Sequence, residues 1–310
     1  MKLLRYPDLS ADHPEGCVAT IGNFDGVHLA HQKIISHVQA KSKELGLSDC
    51  VISFEPLPGE YFSQPPVPRI YPLRDKHNHL SALGVDQFVC LRFDAAFAQQ
   101  EAEAFIHETL LQRLKVRYLV VGDDFRFGRG RRGDYAMLRE IGRQHGMEVS
   151  DTPTLLWEGQ RVSSTLIRQF LQQGDLNKAS TLLGRPYQLS GRIRHGDKRG
   201  RTIGFPTLNL RMPDNLALHV GVYAVKVSGL GGAVHRGVAN LGKRPTVAGT
   251  EMRLEVHMFD FDDQVYGQYI SVEPVSFIRP ERKFDSFEQL KEQIQIDAGL
   301  ARTILAENFS

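Results

Sequence analysis

Residues 17–31 read Cys17-Val18-Ala19-Thr20-Ile21-Gly22-Asn23-Phe24-Asp25-Gly26-Val27-His28-Leu29-Ala30-His31. The first five form a short apolar run, the next few are flanked by glycine, and a helical pattern follows from Leu29. A strand that passes through such a turn into a helix presents backbone N–H groups at the helix start, where they favour phosphate. His28 and His31 are three residues apart, which places their imidazoles together on the first helical turn. The stretch therefore predicts a nucleotide-phosphate turn built from Gly22, Asn23, Phe24, Asp25 and Gly26, with two histidines beside it.

Working outward, the same strand–helix alternation continues to about residue 183. Apolar runs at 17–22, 50–54, 86–92, 116–122 and about 147–156 read as strands. Helical patterns lie near 29–45, 73–83, 99–113 and 134–146, then at 164–173 and 175–183. Continuously apolar strands alternating with helices imply a parallel, Rossmann-like α/β sheet covered on both faces. The segment Gln64-Pro65-Pro66-Val67-Pro68 interrupts the rhythm as a loop. After Leu183-Gly184-Arg185-Pro186 the chain turns Gly-rich, with strand-like runs at 187–194, 206–210, 221–228, 234–241, 252–260 and 268–277. A helix from Ser286 to about Glu307 follows, opened by a Ser286/Gln289 capping box. Six short strands and a closing helix predict a small six-stranded β-barrel, and two domains, 1–184 and 185–310.

Composition excludes several classes. The 310 residues are 41% hydrophobic and 24% charged, with a net charge of +2, which gives no bulk attraction to nucleic acid or anionic membrane. No apolar run approaches the roughly 20 residues that span a bilayer. Cys17, Cys50 and Cys90 each sit in or beside an apolar run, with no zinc-type spacing, and read as buried reduced thiols of a cytoplasmic protein. No membrane, nucleic-acid or obligate protein partner is expected.

Ligands of an open parallel sheet bind beyond the carboxyl ends of its strands, and the unusual residues of the first domain collect there. They are the opening turn, Phe54-Glu55-Pro56-Leu57-Pro58, the arginine-rich run from Gly122 to Asp134, and Arg161-Val162-Ser163-Ser164-Thr165-Leu166-Ile167-Arg168. Singly each has a plain reading: an exposed helix start, a crossover loop, a solvated basic loop, a helix cap. Together they supply the imidazoles, guanidinium groups, hydroxyls and helix-start amides that stabilise charge on a transferring phosphate.

These motifs resemble a known family. GNFDGVHLAH is similar to the HxGH-type signature of nucleotidyltransferases, and VSSTLIR to their second, phosphate-binding signature. With FEPLP, GDDFRFG and LLGRPY, the first domain resembles the adenylyltransferase half of bacterial bifunctional riboflavin kinase/FAD synthetases. The resemblance implies that His28 and His31 assist adenylyl transfer from ATP to FMN, and that Ser163, Ser164, Thr165 and Arg168 hold ATP phosphates. The chain departs from the pattern at Ala30, Leu57 and Leu166, where the family often has glycine, histidine and arginine.

In the second domain, Gly196-Asp197-Lys198-Arg199-Gly200-Arg201-Thr202-Ile203-Gly204-Phe205-Pro206-Thr207-Leu208-Asn209-Leu210 combines a glycine-rich loop with a strand. Thr207 and Asn209 share a face of an extended segment and offer neutral oxygens suited to the Mg²⁺ carried by ATP. Glu255, in Arg253-Leu254-Glu255-Val256-His257, is placed either to take a proton from a substrate hydroxyl or to form a surface ion pair. His257 reads as structural. RTIGFPTLNL, GVYAV, GVANLGKRPTV, LEVHMFDFDDQVYG and FIRPERKF, in that order, resemble the riboflavin kinase half of the family. That implies Gly204, Pro206 and Thr207 at the nucleotide, Thr207 and Asn209 at Mg²⁺, and Glu255 as general base on the riboflavin 5′-hydroxyl; Leu208 replaces the usual alanine. The expected activity is a transferase working with ATP as co-substrate and Mg²⁺, with riboflavin, FMN and FAD as its flavin ligands. Alternatives are a riboflavin kinase whose adenylyltransferase domain has decayed, and a nucleic-acid-binding regulator using the arginine loop.

Overall fold

The computed structural model describes residues 1–5, 15–122, 124–195, 205–246 and 249–307. The chain packs as two compact units, one of Met1–Val67 with Lys76–Ser164 and one of Pro68–Asp75 with Thr165–Ser310. Among the described residues no helix is long and apolar enough to cross a membrane.

In the first unit, β1 (Lys2–Arg5), β2 (Cys17–Ile21), β3 (Ser48–Glu55), β4 (Gln87–Arg92), β5 (Val116–Gly122) and β6 (Glu148–Thr152) form one sheet. Their order is β1-β4-β3-β2-β5-β6, and every neighbouring pair is parallel. From β2 the chain winds to β3 and β4 on one side and to β5 and β6 on the other. The reversal lies between β2 and β5, so the crevice of this open sheet opens at their carboxyl ends, where the histidine turn and the arginine loop begin.

The strands read as apolar runs because both faces are covered. Val18 and Val120 face Val38 of α1 (Leu29–Leu45). Cys17, Ala19 and Ile21, alternate residues on the same strand, pack with Phe105, Ile106, Leu110 and Leu138. Helix α1 ends on Gly46, whose φ of 66° suits glycine. The remaining helices of this unit include α2 (Pro58–Phe62) and α6 (Tyr135–Gln144); α3 (Leu73–Ala82) contributes residues from Lys76 on.

The predicted helix at 99–113 is broken. It is preceded by α4 (Ala95–Ala98), capped by Asp94, and followed by α5 (Ala102–Ala104) and a π-helical stretch over Phe105–Arg113. Phe105, Ile106, Thr109 and Leu110 are the buried residues of that stretch. Two further elements carry no strong apolar signal: the edge strand β1, Lys-Leu-Leu-Arg, and the small hairpin of β7 (Leu156–Trp157) and β8 (Gln160–Arg161).

The second unit starts on the first turn of α7 (Ser164–Gln173), continues through α8 (Leu176–Leu183), and forms an antiparallel sheet. Its strands are β9 (Leu189–Arg192), β10 (Leu208–Arg211), β11 (Gly221–Leu230), β12 (Ala233–Thr246), β13 (Gly249–Met258) and β14 (Tyr269–Arg279), in the order β10-β13-β12-β11-β14-β9. Arg194 N–H donates to the Asn209 carbonyl at 2.9 Å, which nearly closes the sheet into the predicted barrel. Tyr223, Val225, Leu241, Leu254 and Val256 are buried residues of its strands. The opposite parity, Val222, Ala224 and Val238, packs against Ala298, Ala301 and Leu305 of α9 (Phe287–Glu307), spaced along one helical stripe. Ser286 Oγ accepts from the Gln289 N–H at 3.2 Å, as expected, while the Gln289 side chain reaches back to Asp285 N–H rather than to Ser286. Residues just after the proline-rich loop also belong here: Arg69 N–H donates to Asn215 O, and Ala217 N–H to Arg69 O, each at 2.7 Å.

Candidate functional site

Beyond β2 the chain makes a turn that ordinary residues resist. Phe24 and Val27 have φ of 45° and 43°, and Gly26 has φ of 91°. A positive φ is costly for a bulky or β-branched side chain and persists only where surrounding contacts over-determine it. Here they do. The Asn23 carbonyl accepts from Ser53 Oγ and Lys76 Nζ, both at 2.9 Å, and the Asp25 carbonyl accepts from Ser164 Oγ at 2.8 Å. The Val27 carbonyl accepts from Gln32 Nε2 at 2.9 Å.

The turn delivers His28 to the N-cap of α1, where its Nδ1 accepts from the His31 N–H at 3.4 Å. The two imidazoles stack with centroids 3.6 Å apart and planes 17° from parallel, and Phe24 packs against His31. Ala30 lies inside the first turn of α1, so the stack forms with alanine at that position. His28 is only 4% exposed, and Phe24, Asp25, Gly26 and Val27 are buried, whereas Asn23 is open to solvent and Gly22 half-buried. The helix macrodipole adds positive potential at this end of α1.

The second predicted signature meets the turn through the bond from Ser164 Oγ to Asp25 O. That bond uses the single hydroxyl proton of Ser164, so in this geometry Ser164 offers an anion its backbone amide rather than its side chain. Ser163 is half-buried. Thr165 is exposed and Arg168 half-buried; Arg168 Nε donates to the Pro68 carbonyl at 2.6 Å. Leu166 is buried, as a leucine in a hydrophobic stripe should be.

The arginine loop is internally braced. Phe127 and Gly133 exchange backbone hydrogen bonds, and the Phe127 ring covers Gly133 closely enough to exclude a Cβ. Arg129 pairs with Glu101, Arg126 donates to the Phe125 carbonyl, and Arg161 binds Asp124 at 2.8 Å, which holds the Asp124 carboxyl below its usual range. An aromatic group that motif reading missed gathers beyond β3 and β4. Tyr61 and Phe62 pack on Phe93 at 5.5 and 5.6 Å while keeping much of their surface exposed. Its signal in the sequence is the pair Tyr61-Phe62 at the end of the short helix α2, too weak alone to separate from core packing.

In the second unit, strand register assembles the expected residues. Asn209 on β10 is the cross-strand partner of Glu255 on β13, which is the partner of Asn240 on β12. The three stand in one row on one face, with Cβ atoms of neighbours about 5 Å apart. Asn209 is buried, and its Nδ2 donates to the Thr207 carbonyl at 3.3 Å, which leaves its Oδ1 as the oxygen for a cation. Both Glu255 carboxylate oxygens accept from Arg244, at 3.2 and 3.0 Å. Arg244 also donates to Glu281 at 3.2 Å, and Asn240 Nδ2 to the same Glu281 oxygen at 2.9 Å. His257 Nδ1 lies 3.0 Å from the Pro206 carbonyl, against Phe205, and burial pushes its pKa down. It braces the segment that carries Thr207.

A cavity of about 450 Å³ opens beside Pro206 and Thr207, with Met258, Asp262 and Tyr266 in its wall. Gly204 lies outside the described residues. Neutral oxygens of Thr207 and Asn209 beside a carboxylate suit a hard cation that arrives with a phosphate chain. Among the described residues there is no cluster of three or more His, Cys, Asp or Glu able to hold a metal unaided.

A family model described as FAD synthetase matches residues 10–166, and one described as riboflavin kinase matches residues 183–305. The bifunctional riboflavin kinase/FMN adenylyltransferase of Haemophilus influenzae is 47% identical over 289 residues, 93% of this chain and 94% of that relative. Its counterpart in Escherichia coli K12 is 45% identical over 304 residues, 97% of both chains. A crystal structure described as a macrolide-efflux protein from Streptococcus pneumoniae matches with a TM-score of 0.77 at 30% identity, covering 97% of this chain and 99% of that one. With both family models matched in order and such relatives aligned almost end to end, the chain belongs to the bacterial bifunctional riboflavin kinase/FMN adenylyltransferase family.

Proposed function

We propose that this chain runs two ATP-dependent transferase reactions in sequence, riboflavin to FMN and then FMN to FAD with release of pyrophosphate. The observation that carries the reading is that one chain holds, in separate units, a tethered phosphate turn ending in stacked histidines and a strand row joining Asn209 to Glu255. The functional division falls near residue 184, with 1–184 serving adenylyl transfer and 185–310 serving phosphorylation.

In the first reaction Glu255 accepts the proton of the riboflavin 5′-hydroxyl as that oxygen attacks the terminal phosphorus of ATP, and ADP leaves. To do so Glu255 frees one oxygen from Arg244, whose guanidinium already has Glu281 as a second partner. Pro206 and Thr207 line the nucleotide cavity, with Gly204 preceding them in the chain. Thr207 and Asn209 would hold Mg²⁺, which neutralises phosphate charge when bound.

In the second reaction an FMN phosphate oxygen attacks the α-phosphorus of ATP and pyrophosphate departs. His28 and His31 stabilise the charge that develops there, and amides of residues 23–26 cradle phosphate, the Gly22 N–H being bound to the Ile52 carbonyl. Ser163, Ser164, Thr165 and Arg168 serve the phosphate chain. The exposed aromatic surface of Tyr61 and Phe62 suits a planar flavin ring. Three reduced, buried cysteines fit a cytoplasmic setting.

Chromatographic product analysis of purified protein given riboflavin, ATP and Mg²⁺ tests the whole reading. FMN followed by FAD is the expected outcome. FMN alone leaves a kinase with a decayed first domain, and neither product overturns both halves.

A further inference from the structure

Lys76 is 2% exposed, although burying an ammonium is costly and an apolar residue of similar length would fill the same space. Its Nζ donates to the Asn23 carbonyl at 2.9 Å and to Ser53 Oγ at 3.2 Å, while Ser53 Oγ donates to that same carbonyl at 2.9 Å. The three groups form a closed triangle on one peptide bond of the phosphate turn. Because a trans peptide is planar, its C=O and the following N–H point in opposite directions. A carbonyl drawn toward the buried Lys76 therefore turns the Phe24 N–H outward, away from the core. The charged donor also polarises the peptide, strengthening that N–H as a hydrogen-bond donor. Ser164 treats the Asp25 carbonyl in the same way, which turns the Gly26 N–H.

We propose that Lys76 is a positioning residue for adenylyl transfer: its buried ammonium clamps the Asn23 carbonyl and so aims and polarises the Phe24 amide toward the nucleotide phosphate. The proposal rests on the reading of the first unit as the adenylyltransferase. It accounts for a charge kept in the interior and for a turn that holds Phe24 at a positive φ.

Initial-rate kinetics on the full-length Lys76→Met and Lys76→Gln variants test it, with FMN and ATP as substrates. Misplacing a phosphate-binding group costs on the order of 100-fold in rate. Lys76→Met should therefore lower kcat for FAD synthesis by about that factor and raise KM for ATP, leaving KM for FMN and riboflavin phosphorylation unchanged. Its thermal midpoint should stay level or rise, since an ion has been removed from the interior. Lys76→Gln keeps a donor without the charge; it should fall between the two, and it carries the test if Lys76→Met does not fold. A kcat within about threefold of wild type in whichever of these variants folds overturns the proposal. So does a loss of rate that comes with a lowered thermal midpoint and equal rises in both KM values, the mark of a merely structural lysine. His28→Ala separates the two failures, because FAD synthesis that survives in that variant sinks the reading of the site itself.

Discussion

Asp75 shows how one residue can set a pH dependence. Its carboxyl accepts from the backbone N–H and the hydroxyl of Ser190, yet burial outweighs those bonds and pushes its pKa up to about 6. In the first unit Asp49, whose carboxylate accepts from the Asp86 N–H and whose own N–H donates to the Asp86 carboxylate, is likewise raised to about 6, chiefly by burial. A carboxyl raised on folding contributes stability that is full at low pH and lost as pH rises through the folded value. A shift of about two units corresponds to roughly 3 kcal/mol at neutral pH. Asp75→Asn, which keeps an acceptor for the Ser190 N–H, should raise the thermal midpoint at pH 7.5 and leave it nearly unchanged at about pH 3, below the ordinary carboxyl value. Circular dichroism melts at the two pH values check this; equal shifts at both would show that Asp75 is not the titrating group. At this scale the histidine pair and Ser164 were legible as residue types in a pattern. The tether from Lys76 was not, because a lysine on a polar-looking helix gives no sign that its ammonium ends inside the protein.

Among elements, α9 depends on the Arg279–Asp297 ion pair as well as on its apolar stripe. Arg279 at the end of β14 donates three hydrogen bonds to Asp297 at 2.7–3.1 Å, and Gln293 adds a fourth at 2.8 Å. Asp297 is only 4% exposed on its side chain, so Asp297→Ala leaves a mostly buried guanidinium without its counter-charge. Such a loss costs about 3–5 kcal/mol, and denaturant unfolding should show a correspondingly lower midpoint. An unchanged midpoint would mean that water replaces the carboxylate at no cost. Most elements were legible because each strand is a continuous or alternating apolar run and each long helix carries a period of its own. The exceptions have physical causes. Strand β1 is four residues with two charged ends, too short to show a period, and β4 offers it a parallel edge. The break of 95–113 into two short helices and a π-helical stretch was not legible because the buried positions 105, 106, 109 and 110 keep the spacing of an ordinary helix.

For the whole molecule, two chemistries in separate units predict separable losses. Glu255→Ala or Asn209→Ala should abolish riboflavin phosphorylation while FMN adenylylation continues, and His28→Ala should do the reverse. Assaying each reaction with its own substrate decides the matter. If either kind of substitution removed both activities in well-folded protein, the division of labour would be wrong. The sequence by itself determined that there are two architectures, a parallel sheet and then a barrel, and which short motifs carry the chemistry. Hydrophobic period and turn chemistry are local properties that a chain displays in order. Only the tertiary structure decided that Asn209, Glu255 and Asn240 stand in one row, since strand register joins positions far apart in sequence. It also decided that Arg244 occupies both oxygens of Glu255, and that carbonyls of the opening turn are tied inward by Ser53, Lys76 and Ser164. Those contacts depend on packing between distant segments, and no spacing along the chain encodes them.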